Sequence, residues 1–332
     1  MTQRTPDPLI GPAGDAPAVL ADSRHFYRVF GLVVRSTFVL PELDAVEVGP
    51  SSAVDVSITL GSVPAPGDSV DHMGILLHSG ADGLVIEMAG VARFRVSDGR
   101  EIVVQPHGQI AAETIRTYLL GTAIGALLHQ RGLLPLHANA IEIDGRAFAI
   151  AGDSGAGKST LAFRFQDLGH RLLTDDICAT TVDDHGQGWA WPGIPRVKVW
   201  RDALDELGHS PDGLRTLAIE PGKFHSQLRA ISGPGPYPLA AIYTLGESSE
   251  RRPAGIHRLE GLDAINAITA NSYRRRLAEV DGRGGPYLER VLCLARTTPV
   301  FAFDRTWGFE SFREEADQLI AHMMALGRRV ES

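Results

Sequence analysis

Short stretches of alternating apolar and polar residues fill the first third of the chain. "FYRVFGLVVRS", "VDVSITLG", "GILLHSG", "GLVIEMAG", "ARFRVSDG" and "EIVVQP", all between residues 25 and 107, have the two-residue period of strands with one buried face. Glycine and aspartate divide them, and the Asp-Gly pairs at 82–83 and 98–99 are hairpin signals. These residues predict a smaller β-rich N-terminal domain over 25–109, preceded by a disordered Pro/Ala/Gly leader over 1–24. The period then lengthens. In "IAAETIRTYLLGTAIGALLHQRG", residues 110–132, apolar positions recur every three or four residues, and Gly132 stands where a helix would stop. A linking helix over 110–133 is expected.

From 134 to 332 strand-like and helix-like segments alternate. "LPLHANAIEIDG" and "RAFAIAG" predict a hairpin about Asp144-Gly145, whose second strand runs into a Gly-rich loop. A helix is expected at 157–168, then a strand "RLLT" that ends at Asp175 and Asp176. "CATTVDD" and "GWAWPG" flank a turn, residues 201–208 and 262–277 read as helices, and "TLAIE" and "AAIYTLG" read as strands between them. Residues 221–238 read as a loop able to cover a site, and "TTPVFAFD" as a strand before a C-terminal helix. This alternation indicates an α/β domain, and no internal repeat is visible.

Composition narrows the function classes. Of the 332 residues 44% are hydrophobic and 22% charged, ordinary values for a soluble globular protein. The absence of a long apolar run gives no reason to expect a membrane partner, and the N-terminus lacks a basic segment followed by an apolar one. Two cysteines, Cys178 and Cys293, suit a reducing cytoplasm better than a disulfide framework. A net charge of −8 argues against a nucleic-acid polymer as partner. Only three of the 32 basic residues are lysines, Lys158, Lys198 and Lys223, so each invites a chemical reading.

Lys158 lies in "GDSGAGKS", residues 152–159, which satisfies G-x-x-x-x-G-K-[ST] between an apolar strand and a helix. Gly152, Asp153, Ser154, Gly155, Ala156, Gly157, Lys158, Ser159 and Thr160 are therefore the expected nucleotide-binding residues. The glycines let backbone N–H groups turn toward phosphate oxygens, and the helix start adds positive potential. Lys158 should reach the β- and γ-phosphates of ATP, and the Ser159 hydroxyl should ligate Mg²⁺. Such a loop specifies only nucleotide phosphates. Asp175 and Asp176, at the end of the next strand, would either hold the metal or take a proton from an attacking hydroxyl. As adjacent residues at a strand end they point differently and could divide the two jobs. Arg196 and Lys198 alternate in "PRVKV" on one strand face, and Lys223 sits in the Gly/Pro-bounded loop; these three are weaker candidates for gripping nucleotide or substrate.

The run "LHANAIEIDGRAFAIAGDSGAGKSTLAFRFQDLGHRLLTDD" resembles the catalytic core of the HPr kinase/phosphorylase family, closely over residues 134–185 and loosely over the next hundred. The resemblance implies a P-loop kinase core of HPr kinase type, within an α/β class, carrying the smaller N-terminal domain. It implies Asp175 as the base that activates a serine hydroxyl, Asp176 as its assistant and metal ligand with Ser159, and His137 near the phosphates. It also implies ATP and Mg²⁺ as cofactors and admits assembly with copies of itself. The family's glycine-rich signature beyond the aspartates is missing; "WAWPGIPRVKVWRDALDEL" stands there instead. That segment and "FYRVFGLVVRSTFVLPEL" are similar to the HPr-kinase-like proteins encoded with lasso peptide precursors, which phosphorylate the C-terminal serine of a ribosomal precursor peptide. The expected function is thus a serine kinase acting on such a peptide. An HPr-type serine kinase/phosphorylase, or a nucleotide-binding regulatory module without transfer chemistry, are the alternatives.

Overall fold

The computed structural model describes residues 24–329 except 50–52, 66, 73, 195, 211–214, 217–222, 228–234, 251, 307 and 309. All but the last residue of the expected leader, most of the expected strand "TLAIE" and half of the expected loop over 221–238 therefore lie outside the described residues.

The alternating segments of the first third form one nine-stranded sheet. Its order is Asp44–Ala45, His25–Val29, Leu32–Ser36, Val56–Leu60, Glu101–Pro106, Ala92–Ser97, Gly83–Met88, Ile75–Gly80, Val70–His72. The last five are an antiparallel meander, and Val56–Leu60 runs parallel to both its neighbours. In "ARFRVS" the period-two pattern is literal: Ala92, Phe94 and Val96 are buried and the residues between them are half-exposed. That buried face packs on the linking helix, through Ile115, Leu119, Ala123 and Leu127.

The linking helix is not continuous. Ala112–Tyr118 and Ile124–Gln130 are α-helical, and Leu119–Ala123 between them is a π turn. The wider turn coincides with the place where Tyr273 presses on Gly121 and Gly125, where a Cβ would lie 3.1 and 3.0 Å from its side chain. Tyr273 belongs to the break in the helix expected over 262–277. Gly261–Ala270 and Arg276–Val280 are separate helices. The turn between them lends its backbone to the edge of the second sheet, with Tyr273 N–H donating to Pro135 O at 2.8 Å and His137 N–H to Asn271 O at 2.7 Å. Pairing of main chain across the fold overrides local helical periodicity there.

The second sheet runs Leu134–Leu136, Cys178–Val182, Gly188–Ala190, Tyr237–Glu247, Arg146–Ala151, Ala138–Ile143, Arg171–Thr174. Val300–Arg305 also pairs with Tyr237–Glu247, so that Arg146–Ala151, Tyr237–Glu247 and Val300–Arg305 are parallel neighbours. Both faces are covered. Phe148 and Ile150 meet Leu161, Phe165 and Leu319 on one side; Ala147, Ala149 and Ala151 meet Ile268, Val291 and Leu294 on the other. The result is a mixed α/β fold with large sheets between helices.

Two further segments depart from the sequence reading. Lys223–Gln227, expected as loop, is a strand antiparallel to Arg196–Trp200 in a small three-stranded sheet. Gly284–Thr297, not anticipated, is a helix whose Tyr287, Val291 and Leu294 are buried at helical spacing.

Candidate active site

The loop that begins at Gly152 follows the parallel strand Arg146–Ala151 and ends in the helix Lys158–Asp167. Gly155 and Gly157 take φ of +87° and +91°, left-handed conformations that a side chain would strain. They reverse the chain so that Gly157 caps the helix, and the loop folds back through Ala156 N–H to Asp153 O at 3.1 Å.

Lys158 is only 8% exposed. Its ammonium donates to Gly152 O at 2.6 Å and Asp153 O at 3.1 Å, and lies 3.2 Å from His137 Nε2. His137 Nδ1 lies 3.2 Å from both the main-chain oxygen and Oδ1 of Asp176. One tautomer satisfies all of these contacts: Nε2 accepts from Lys158, and Nδ1–H donates to Asp176. His137 thus joins the loop lysine to the end of the strand Arg171–Thr174.

The two aspartates differ sharply. Asp175 is 8% exposed, with its N–H on Ile194 O at 3.0 Å and its own carbonyl accepting from Ile177 N–H at 2.8 Å. Asp176 has φ of +66°, and its side chain is 43% exposed. The change of sign in φ turns the second carboxylate away from the first. Both residues nevertheless stand on the wall of one cleft of about 240 Å³, which His137, Asn139, Ser154, Gly155, Gly157, Lys158, Ser159 and Thr160 also line.

The structure therefore gathers His137, Lys158, Ser159, Thr160, Asp175 and Asp176 about one cleft. Gly152 and Asp153 serve it through the carbonyls that hold Lys158, and Ala156 faces a neighbouring cavity. Arg196 and Lys198 lie on the strand Arg196–Trp200, with Lys198 opposite His225 and Lys223 opposite Trp200; their side chains are outside the described positions.

Asn139 and Arg305 escaped the sequence reading, and Trp200, an aromatic that its sequence suited to the core, joins them. Asn139 lines the cleft from the strand Ala138–Ile143, 1% exposed, and neither of its amide atoms has a hydrogen-bond partner among the described residues. An orphaned buried amide costs about 1–3 kcal/mol, so a ligand that completes it is the natural reason for its presence. Trp200 is 48% exposed and lines both cavities that flank the loop. Arg305, at the end of Val300–Arg305, donates from Nη2 to Ala156 O at 2.5 Å, and its burial pulls its pKa below the usual arginine value. The motif has no place for Arg305, because it stands 149 residues from its partner.

A divalent cation fits the donor set. Among the described residues no group of three or more His, Cys, Asp or Glu side chains forms a self-sufficient metal cage. Mg²⁺ typically takes one or two carboxylates, keeps water, and uses substrate phosphates for the remainder. The Ser159 hydroxyl, the Asp176 carboxylate and the unsatisfied Asn139 amide suit such a partly hydrated ion.

Asn139→Leu separates these roles. Removing two unsatisfied buried atoms should stabilise the unliganded protein by about 1 kcal/mol, while MgATP affinity should fall about tenfold. Urea unfolding without nucleotide and calorimetric titration with MgATP check the two halves. A loss of stability would mark the amide as structural.

No family model matches the chain, and no curated protein matches it. Among solved structures, the HPr(Ser) kinase/phosphatase from Coxiella burnetii is similar at 13% identity and a TM-score of 0.31, over 58% of this chain and 98% of that one.

Proposed function

We propose that this chain is an ATP- and Mg²⁺-dependent kinase that phosphorylates a serine hydroxyl of a peptide, the C-terminal serine of a lasso-type precursor being the acceptor that best suits its sequence. The observation that carries the reading is the convergence of a glycine-turned loop, a buried lysine and a buried aspartate on one cleft.

Loop N–H groups at the start of the helix Lys158–Asp167 bind the phosphate chain. Lys158 is held by two carbonyls and His137, so its charge is oriented in the cleft. A bound phosphate oxygen would take the place of at least one of these partners on the ammonium. Asp175 accepts the acceptor proton as the serine oxygen bonds to the γ-phosphorus. The bond from that phosphorus to the β–γ bridging oxygen breaks, its electron pair leaves with ADP, and the proton passes from Asp175 to solvent. Ser159 and Asp176, with the Asn139 amide, would hold Mg²⁺, which would neutralise charge on the phosphates. His137 positions Asp176 and Lys158.

The lasso-type acceptor rests on the two segments "FYRVFGLVVRSTFVLPEL" and "PGIPRVKVW". The test is incubation with MgATP and synthetic peptides that end in serine or carry it internally, read by mass spectrometry. Phosphoserine at the C-terminal position is expected. Nucleotide binding with no phosphopeptide of either kind would leave a regulatory module instead.

A further inference from the structure

Asp175 and Asp176 line two cavities at once: the cleft with the glycine loop and a second cavity of about 90 Å³. The far wall of this second cavity is one face of the linking helix. Glu113, Arg116, Thr117, Leu120 and Gly121 stand three, four, seven and eight residues apart, the spacing of a single helical stripe. The stripe runs into the π turn Leu119–Ala123, a type of helix irregularity that concentrates at functional sites. The N-terminal sheet reaches the cavity as well, through Glu42, whose two carboxylate oxygens accept from Arg116 Nε at 3.0 and 3.1 Å.

Size and charge decide what such a cavity takes. It has far less room than the cleft, enough for a group of a few heavy atoms and not for a nucleotide. Four carboxylates, Glu42, Glu113, Asp175 and Asp176, face one guanidinium, Arg116. That balance repels phosphates and favours neutral or cationic groups. A phosphate-sized cleft and a small acidic pocket that share Asp175 have the layout of two substrates meeting beside one base.

We infer that the second cavity is the acceptor subsite: it receives the hydroxymethyl side chain of a serine from a peptide whose neighbouring residues are uncharged or basic. This rests on the kinase reading above and deepens it. The N-terminal sheet and the linking helix thereby gain a role, which is to form the wall against which the acceptor lies while the core holds the donor. Basic residues just before the serine would face Glu113, and acidic ones would be rejected.

The experiment uses two short fluorescein-labelled Gly/Ala peptides ending in serine, one with arginines before it and one with glutamates. Binding to the full chain in the presence of ADP is read by anisotropy, and transfer from MgATP is read separately. The arginine peptide should bind the wild-type protein at least about tenfold more tightly than the glutamate peptide. Thr117→Trp, which fills the cavity from the helix face, should weaken binding and transfer at least about tenfold, with MgATP affinity unchanged within about twofold. Glu113→Lys should narrow or reverse the preference between the peptides. Failure of both peptides to bind wild-type protein, or binding to both variants that matches wild type, overturns the acceptor subsite, as does a parallel loss of MgATP affinity in Thr117→Trp. Tight peptide binding with the expected variant effects but no phosphate transfer would instead overturn the kinase reading and leave the peptide subsite standing.

Discussion

Replacing Asp175 with Asn is expected to slow phosphate transfer about a thousandfold while ATP affinity stays within about threefold, because a general base contributes roughly 10²–10⁴ to rate. The substitution is close to isosteric, and the main chain holds Asp175 at both its N–H and its carbonyl. Its N–H is held by Ile194 O, its carbonyl by Ile177 N–H, and the Thr174 hydroxyl bonds Ile177 O at 2.7 Å to close the turn. The amide would keep the shape and lose the capacity to accept the serine proton. Asp176→Asn is the informative partner. That carboxylate is the more exposed of the two and touches His137, so its loss should appear chiefly as a higher Mg²⁺ requirement. Single-turnover transfer at saturating ATP, measured across Mg²⁺ concentrations, separates the two variants. Should Asp175→Asn retain more than about a tenth of the wild-type rate, the base lies elsewhere.

Local chemistry explains which parts of the molecule the sequence disclosed. The pairs Asp98-Gly99 and Asp144-Gly145 both take positive φ at both residues, the turn that Asp-Gly favours, and the strands on either side follow in register. The helix after the glycine loop starts at Lys158 because the loop composition determines its own conformation. What stayed hidden depends on residues distant in sequence. Asn139 shares the strand face of the buried Ile141 and Ile143 in a sheet covered on both sides, so only the cleft it lines explains a polar residue there. The π turn answers to Tyr273, some 150 residues on, and no helical pattern within 110–133 announces it. The helix Gly284–Thr297 opens on two glycines and a proline, which read as a breaker, while its apolar stripe becomes decisive only against the sheet it covers.

The same non-local logic makes Gly193→Ala the more damaging of two substitutions that look mild. Gly193 lies in the segment between Pro192 and Ile194 that joins the N-terminal sheet to the aspartate turn. Phe30 N–H donates to Pro192 O at 2.7 Å, Gly193 N–H to Leu173 O at 3.0 Å, and Asp175 N–H to Ile194 O at 3.0 Å. A methyl group on Gly193 would run into the Thr174 side chain and come within 2.5 Å of the Phe30 ring. Neither can yield cheaply. Phe30 is fully packed in the N-terminal core, and Thr174 spends its hydroxyl on closing the turn that carries both carboxylates. The expected cost is about 3 kcal/mol, the upper range for overpacking a close contact, read by urea unfolding. Because the displaced group is the residue before Asp175, transfer should fall further than ATP affinity does. Phe30→Leu separates the two sources of strain: if the ring is the obstacle, the double variant Phe30→Leu/Gly193→Ala should be destabilised by clearly less than the sum of the single changes. Strict additivity would place the strain on Thr174 alone, and a Gly193→Ala protein as stable as wild type would mean that this segment has room to move and does not hold Asp175 in place.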